Sequence, residues 1–335
     1  MKKAILVISI IIITLFSFCA VGTLSAARWD LQRVFSPAVN QSYDIDDEFN
    51  DIFISVDTAD VRFLKSEDGK CRVECVEGYK ITHTASVKDG TLKIERRDER
   101  KWYELITIIP VHFEVTVYLP EGEWGKLNIK TSTGDTEIAR DFGFASIDIG
   151  QSTGNIALSC QSGGNINLKT STGNIAVNDT SADSVKIRVS TGNLAIAGLT
   201  ASSLEISSST GNIALSDSKI IGNITATSST GKQTFTNVEC NNLNMESDSG
   251  DSILTSVIAI DSFNIEKSTG DVKLDSSDAT EIYIETDTGD VSGTLLSDKV
   301  FIVRTDTGDI DVPKSTVGGR CEIETDTGNV IISVK

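Results

Sequence analysis

The sequence predicts an all-β protein whose main part is a single-stranded right-handed parallel β-solenoid with 19–20-residue coils. Three observations support this fold: a short motif returns at a fixed period, apolar residues keep fixed positions around it, and their spacing of two is that of a strand. The motif runs from TSTGD at 131–135 to TDTGN at 325–329. Its corner glycines, always 19 or 20 residues apart, are Gly134, Gly154, Gly173, Gly192, Gly211, Gly231, Gly250, Gly270, Gly289, Gly308 and Gly328.

Apolar positions define the predicted core of each coil. The position seven residues before the glycine is apolar in every copy, from Leu127 to Cys321, and so is the position five before it. No run has helical spacing, so each coil is predicted to be two short strands that meet at the glycine. There the glycine supplies a positive φ, and the following Asp or Asn caps local amides. One coil buries too few side chains to fold alone, so the coils must stack, with right-handed crossovers.

The chain divides into four predicted segments. Residues 1–28 are a transmembrane anchor or signal segment, 29–44 a juxtamembrane linker, 45–123 a β-rich N-terminal cap, and 124–335 the solenoid. Within the cap, residues 52–63 resemble a degenerate coil of the same kind, because apolar residues alternate on both sides of a short polar corner.

The N-terminal segment is predicted to be a membrane-spanning helix. Lys2 and Lys3 are followed by no charged residue until Arg28, and this run is longer than the apolar core of a signal peptide, which has about 7–15 residues. The leading lysines make the chain a single-pass protein of the cell membrane with an extracellular C-terminal domain. The alternative is cleavage after Ala26 or Ala27, which would give a secreted protein.

The net charge argues against a nucleic-acid partner, and the cysteine pattern argues against a metal site. The net charge of −18, without a basic stripe, excludes a nucleic-acid partner. The cysteines outside the apolar segment are odd in number and form neither a CxxC pair nor a cluster with histidine, so they predict buried free thiols rather than a metal site. Two of them lie four residues apart in one strand, too far to bridge. They are Cys71, Cys75, Cys160, Cys240 and Cys321.

Several segments together resemble a known family. A VYLP segment at 117–120, the following LNIKTSTGD at 127–135 and the serial TGD or TGN coils are similar to the bacterial putative-adhesin family of DUF4097-like β-solenoid envelope proteins. The resemblance covers about residues 45–335. It implies a β-solenoid on the cell envelope, often behind one membrane span, and in some members a link to envelope-stress responses. It transfers no catalytic residue.

Acidic corners towards the C-terminus are the sharpest polar feature. Stacked about 4.8 Å apart, like carboxylates repel, and calcium prefers carboxylate oxygens. A calcium column is therefore one prediction, and solvated turn caps are the alternative; no other cofactor is implied. In addition, Glu285, Arg304 and Glu324 are predicted to form an alternating ion-pair ladder. The predicted calcium ligands are Asp287, Asp290, Asp306, Asp309 and Asp326.

The pattern favours a non-enzymatic cell-envelope interaction module, either an adhesin or an envelope-stress accessory protein. His83 and His112, the only histidines, lie in no nucleophile motif, so no catalytic residue is assigned. The constant coil length leaves no long loop that could form a cleft. The alternatives are a structural spacer and a calcium-dependent polysaccharide-binding or polysaccharide-degrading β-helix protein.

The predicted partners follow from the ends of the chain. The N-terminal helix would bind the membrane, and the solenoid would bind envelope proteins or glycans. The last coil ends at residues 330–335 without a capping element. Its edge is therefore predicted to be open, which would allow self-association through the C-terminal edge.

Overall fold

One continuous β-structure spans the residues that the computed structural model describes, 38–101 and 111–335. No helix occurs among these residues, so the all-β prediction is confirmed. The N-terminal strands are β1 (Val39–Ile45), β2 (Asp51–Thr58), β3 (Asp60–Lys65), β4 (Cys71–Glu77), β5 (Ile81–Lys88), β6 (Thr91–Asp98) and β7 (Glu114–Leu119). The strands that follow are β8 (Gly122–Thr133), β9 (Thr136–Ile138), β10 (Phe142–Thr153), β11 (Ile156–Leu158), β12 (Gln161–Ser162), β13 (Asn165–Thr172), β14 (Ile175–Asn178), β15 (Ser181–Thr191), β16 (Leu194–Ala197), β17 (Thr200–Thr210), β18 (Ile213–Ile220), β19 (Asn223–Thr230), β20 (Gln233–Ser249), β21 (Ser252–Thr269), β22 (Val272–Asp275), β23 (Glu281–Thr288), β24 (Val291–Leu295), β25 (Lys299–Thr307), β26 (Ile310–Asp311), β27 (Gly319–Thr327) and β28 (Val330–Val334).

Most coils of the solenoid have a longer strand before the corner glycine and a shorter strand after it, whereas β20 and β21 each run unbroken from one corner to the next. β13 lies parallel to β15, with Ile166 opposite Val185, and β14 lies parallel to β16 in the same way. A third short ladder, with Ala201 opposite Ile220, completes the coil in the middle of the solenoid. Because the ladders are in register, inward residues stack into columns, and Ile166, Val185 and Leu204 are fully buried. The predicted columns therefore form one continuous core.

The corner glycines stack directly on one another. At Gly192 φ is +148°, which a residue with a side chain rarely adopts. A second constraint comes from the stacking, because a Cβ atom on Gly192 would lie 2.0 Å from the carbonyl oxygen of Gly173 in the preceding coil. Gly289 and Gly328 lack the left-handed φ, yet their Cβ atoms would meet the neighbouring carbonyl at 2.2 and 1.9 Å. Close approach between coils therefore explains why glycine recurs at every corner.

The N-terminal strands close one end of the solenoid. β2 and β3 form a coil that pairs in parallel with β8 and β9, as the pattern over residues 52–63 predicts. β6 and β7 add a further parallel layer, on which β5 and β4 lie antiparallel. Because β4 and β5 cover this end of the core, Leu92 in β6 and Val117 in β7 are fully buried.

The N-terminal boundary differs from the sequence prediction. Residues 39–44, assigned to the juxtamembrane linker, belong to β1, which pairs antiparallel with β4. β1 lies at a sheet edge, and only Tyr43 and Ile45 of its side chains are partly buried, so its apolar alternation is too short to reveal the strand. The predicted membrane span at 1–28 lies outside the described residues. Within the described ranges, no helix is long and apolar enough to cross a membrane.

The last two coils stack in the reverse of their sequence order. β27 pairs in parallel with β23 on one side and with β25 on the other. β28 likewise lies between β24 and β26. The prediction that residues 330–335 form the open edge is therefore wrong, because β28 begins between two strands, with Val330 and Ile331 paired on both sides. The outermost coil is the one built from β25 and β26.

Two glycines let the last coil enter this position. A Cβ atom on Gly318 would lie 1.7 Å from the carbonyl oxygen of Asp298, and one on Gly319 would lie 1.8 Å from that of Thr280. The chain therefore passes closely between two other segments as it enters β27. Pro313, soon after β26, cannot donate a backbone hydrogen bond and so does not continue the ladder.

A buried lysine lies in a column of otherwise uncharged side chains, three residues before each corner glycine. Lys267 is buried, and its Nζ donates hydrogen bonds to the carbonyl oxygen of Gly250 and to Ser252 Oγ, the latter at 2.9 Å. Burial lowers the pKa of Lys267 to about 8, although Asp251 and Asp271 act in the opposite direction. In the unfolded chain the pKa of lysine is about 10.4, so protonation favours unfolding.

We expect Lys267→Thr to raise the free energy of unfolding at pH 7 by about 1–2 kcal/mol, since the charged amine no longer has to be buried. Thr286 holds the equivalent position in the next coil and is buried there. The parent chain should gain stability between pH 8 and about 10.4, where only its unfolded state binds the proton. The difference in free energy of unfolding between the variant and the parent chain should therefore become smaller. Urea unfolding at pH 7 and pH 10 measures this. The exposed Lys273→Thr is the control, and an equal shift in both variants would contradict the explanation.

Candidate functional site

The outermost coil leaves the core of the solenoid uncovered. Its strands β25 and β26 pair, among the described residues, with β27 and β28 on one side only. Positions that are buried in other coils reach the surface here. Phe301, Val303 and Val312 are only partly buried, and Ile310 is 47% exposed. This end therefore differs from the N-terminal end, where antiparallel strands cover the core.

Exposed apolar side chains gather around this end. Among the described residues, six of the eleven exposed large apolar side chains lie between positions 296 and 331. They are Leu296, Val300, Ile302, Ile310, Val317 and Ile331. We call the surface formed by these six side chains together with Phe301 and Val303 the open tip. Exposed apolar side chains concentrated in one region of a protein often mark an interaction site, so the open tip is the candidate functional site.

A buried ion pair fixes the start of β25. Lys299 Nζ lies 2.8 Å from Asp278 Oδ1, and the two side chains are 3% and 13% exposed. Ser297 Oγ donates a hydrogen bond to Asp278 Oδ2 at 2.6 Å and accepts one from Lys299 Nζ at 2.7 Å. These contacts satisfy both charges in the core. They also tie the outermost coil to the segment that precedes β23.

A ladder of Asp and Asn side chains follows the corners. Asn174 Oδ1 accepts a hydrogen bond from the backbone amide of Asn193 at 2.9 Å, and Asn193 Oδ1 accepts one from the amide of Asn212 at 3.0 Å. Asp271 Oδ1 accepts from the amide of Asp290 in the same way. The predicted capping of local amides is therefore wrong at these positions. Because the coils stack in register, each side-chain oxygen lies beside the amide of the next coil rather than its own.

We expect Lys232→Asn to stabilise the solenoid, because Lys232 occupies this column without a side-chain acceptor. Its own amide donates to Asn212 Oδ1 at 2.9 Å, and an asparagine could accept from the amide of Asp251 in the next coil. One such hydrogen bond contributes about 0.5–1.5 kcal/mol. Thermal and urea unfolding measure the gain. Lys232→Ala removes the same charge without adding an acceptor, and an equal gain in that variant would contradict the ladder explanation.

The chain matches one family model over nearly all of its predicted cap and solenoid. The model, described as Toastrack DUF4097, matches residues 49–234 and 231–335. The chain belongs to the Toastrack DUF4097 family. This confirms the resemblance predicted from the VYLP segment and the serial corners. No curated protein shows significant sequence similarity to this Toastrack chain.

Several solved structures similar to the Toastrack chain come from bacteria. A "putative adhesin" from Bacteroides fragilis is 14% identical, with 89% of this chain and 97% of that chain covered and a TM-score of 0.31. A "putative lipid binding protein" from Parabacteroides distasonis is 13% identical, with 88% and 96% covered and a TM-score of 0.40. A "putative adhesin" from Parabacteroides merdae is 14% identical, with 89% and 96% covered and a TM-score of 0.36. At these values the likeness carries no argument about function.

The aspartates predicted to bind calcium either belong to the ladder of Asp and Asn side chains that follows the corners or lie exposed beside it. Asp290 Oδ1 accepts the backbone amide of Asn329 at 2.7 Å, and Asn329 Oδ1 accepts that of Asp309. Within the described ranges, no three His, Cys, Asp or Glu side chains are placed to hold a metal. Calcium binding stays a prediction, and titration calorimetry of the full-length chain with Ca²⁺ tests it. Saturable heat of binding in the parent chain, absent from the Asp287→Ser and Asp326→Ser variants, would establish the site.

The predicted ion-pair ladder has a different order in the Toastrack solenoid. Glu324 lies opposite Glu285 on one side and opposite Arg304 on the other. Arg304 Nη1 lies 3.2 Å from Glu324 Oε1. The predicted alternation is therefore wrong, because the last two coils exchange places and bring the two glutamates together.

The cysteines and histidines lie away from the open tip or within the core. The five described cysteines are free and buried, as predicted. Burial raises the pKa of each thiol to about 12, which keeps it protonated and unreactive at neutral pH. His83 is buried in the cap, where burial lowers its pKa. His112 Nε2 lies 2.9 Å from Asp60 Oδ2 at the other end of the solenoid from the tip. The open tip is thus an apolar surface without a titratable catalytic pair among its members.

Proposed function

We propose that this Toastrack protein is a non-enzymatic interaction module of the bacterial cell envelope, and that its solenoid presents the open tip to a partner. The difference between its two ends carries the proposal. Antiparallel strands cover the core at the N-terminal end, whereas Phe301, Val303 and Ile310 reach the surface at the other. A solenoid needs a cap at each end to stay soluble. A second molecule that covers the tip would supply the missing cap.

The side wall supports a role as a stem. Its outward positions include many small polar side chains, such as Ser207 and Thr227, along the middle coils. The depression beside Met245 on this wall has a volume of about 90 Å³, below the roughly 300–1,000 Å³ of small-molecule sites. The same features favour a structural spacer as the second candidate. The two candidates differ in whether anything binds at the tip.

The predicted location follows from the direction of the chain. β1 begins at Val39 in the cap, so an anchor at residues 1–28 would hold the cap towards the membrane. At about 4.8 Å per coil, eleven coils would place the tip roughly 50 Å beyond it. Envelope proteins and glycans are the partner classes within reach of such a tip. A polysaccharide-degrading role has less support, because corner glycines 19 or 20 residues apart leave no long loop that could form a cleft.

Site-specific photo-crosslinking in intact cells tests the proposal. A photoreactive amino acid replaces Ile302 at the tip of the full-length chain, and in the control it replaces the exposed Lys169 on the wall. We expect a discrete higher-mass adduct from position 302 and little or none from position 169. A spacer predicts no adduct at either position. That result, or equal capture at both, would contradict the proposed function.

A further inference from the structure

We infer that the open tip binds the tip of a second copy of this chain, so that two solenoids join end to end through an antiparallel pair of β25 strands. The inference rests on the proposed binding role of the tip and names its partner. Both copies would use the same surface, as a two-fold symmetric contact requires.

One edge of β25 offers the backbone groups for this pairing. On the β27 side, the Thr307 carbonyl accepts a hydrogen bond from the Gly328 amide at 3.0 Å. Because backbone groups alternate in direction along a strand, Val300, Ile302 and Arg304 direct their amides and carbonyls to the opposite edge. No described strand pairs with that edge. An open edge of this kind is a template for another strand.

The N-terminal end shows how this chain closes a parallel ladder. There β4 pairs antiparallel with β7, and β5 pairs antiparallel with β6. The core side chains in this region, such as Ile94 and Val115, are fully buried. An antiparallel strand from a second copy would cover Phe301 and Val303 in the same way.

The side chains of β25 complement themselves when the two-fold axis passes at Phe301. Phe301 then faces Phe301 of the second copy across the core side. On the outer side, Val300 faces Ile302 of the second copy, and Asp298, which directly precedes β25, lies opposite Arg304 of the second copy. The Arg304 side chain is 71% exposed, so it can reach a carboxylate across the pair. Over positions 300–302 apolar residues thus meet apolar residues, and opposite charges meet twice by symmetry.

Neighbouring registers lack this complementarity. With the axis moved to Ile302, Asp298 would face Asp306 of the second copy, and Val300 would face Arg304. Like charges directly opposite destabilise a strand pair. The charge pattern therefore selects the register centred on Phe301.

The net charge favours an end-to-end contact over a lateral one. The chain carries a net charge of −18, much of it on the corners and walls, so side-by-side packing would bring like charges together. End-to-end joining keeps the walls of the two copies apart. It also places the two N-terminal caps at opposite ends of the assembly. With the predicted anchor retained, such a pair would bridge two facing membranes.

A charge exchange at the tip tests the inference in solution. Sedimentation velocity of the full-length chain, under one set of conditions over a range of concentrations, gives the dimer dissociation constant. We expect Asp298→Arg and Arg304→Asp each to weaken the dimer at least tenfold. The double variant should restore it to within about threefold, because the pair is re-formed with reversed charges. The contact of Arg304 with Glu324 is lost both in Arg304→Asp and in the double variant. Recovery of the dimer affinity in the double variant therefore reports the contact between copies.

Cysteine cross-linking tests the register. Residues facing each other at position 301 would have Cα atoms about 4.5 Å apart, within the range of a disulfide, whereas the two residues at 302 would be about 8 Å apart. Cys321 lies opposite position 301 in the adjacent coil, so both variants are made in a Cys321→Ala chain. There Phe301→Cys should give a disulfide-linked dimer under mild oxidation, and Ile302→Cys much less. The Cys321→Ala chain under the same oxidation controls for the remaining cysteines.

The outcomes separate the partner from the binding role. A dimer whose dissociation constant is unchanged in the single charge variants, or that cross-links equally at positions 301 and 302, would overturn the inferred register and contact. A chain that is monomeric in solution, while position 302 still yields a cellular adduct, would show that the tip binds another partner. The second-copy inference would then be wrong and the proposed function would stand. A monomer without any adduct would contradict both.

Discussion

Gly192→Ala should lower the free energy of unfolding by about 3–5 kcal/mol. The added Cβ would lie 2.0 Å from the Gly173 carbonyl oxygen, and φ at this corner is +148°. Forced overpacking costs about 1–3 kcal/mol and a strained backbone of this kind about 1–3 kcal/mol more. The neighbouring backbone cannot rotate away, because it belongs to the stacked coil beneath. Urea unfolding followed by circular dichroism measures the loss.

Gly150→Ala is the matched control for the corner glycine. Gly150 lies in a long strand of the same solenoid, and a Cβ atom there would meet nothing within 4 Å. We expect this variant to be neutral or to gain up to about 1 kcal/mol, since alanine restricts the unfolded chain. Equal destabilisation by the two substitutions would show that stacking of the corners is not what requires glycine.

Lys299→Met should loosen the outermost coil and with it the open tip. The substitution leaves Asp278 buried without its cation, which costs about 3–5 kcal/mol. Because the end coil of a solenoid can open by itself, the loss should appear as local opening. The amides of Gly328 and Val330 donate to carbonyls of this coil, so they report its opening. Their hydrogen-exchange protection should fall by at least roughly 100-fold.

Two further variants separate the buried pair from a general effect of charge. Lys219 forms an ion pair with Glu239 in which both side chains are largely exposed, so Lys219→Met should leave the free energy of unfolding nearly unchanged. Replacing both members of the buried pair, with Asp278→Leu and Lys299→Met, should recover much of the loss, because no unpaired charge is left. A double variant as loose as Lys299→Met would contradict the explanation.

The solenoid could be predicted from the sequence because each coil repeats the same local chemistry. The corner glycines and the apolar columns from Leu127 and Ile129 onward determine strand, turn and stacking together. The ladder of Asp and Asn side chains after the corners could be predicted only in part. The Asp or Asn after each glycine was visible, but its partner is the amide of the next coil, which only the three-dimensional stacking identifies.

The order of the last coils could not be read from the repeat, because both coils fit the same position. Phe301 and Cys321 occupy one column, and either could lie next to Ile282. The signals that separate them are local: Lys299 needs a buried carboxylate, and the glycine pair at 318–319 permits close passage between two other segments. The open tip was therefore placed on the wrong residues, although its existence was predicted. The β1 strand could not be recognised, because only Tyr43 and Ile45 of its side chains pack against the core.

The stacking order of the last coils decides which residues form the tip, and a pair of double-cysteine variants measures it directly. Residues opposite each other in adjacent coils have Cα atoms about 4.8 Å apart, within disulfide range, whereas two coils separate residues by about 10 Å. The structure predicts that Glu285→Cys with Glu324→Cys forms a disulfide under mild oxidation, and that Glu285→Cys with Arg304→Cys does not. The reverse result would mean that the coils stack in sequence order, with residues 330–335 at the open edge.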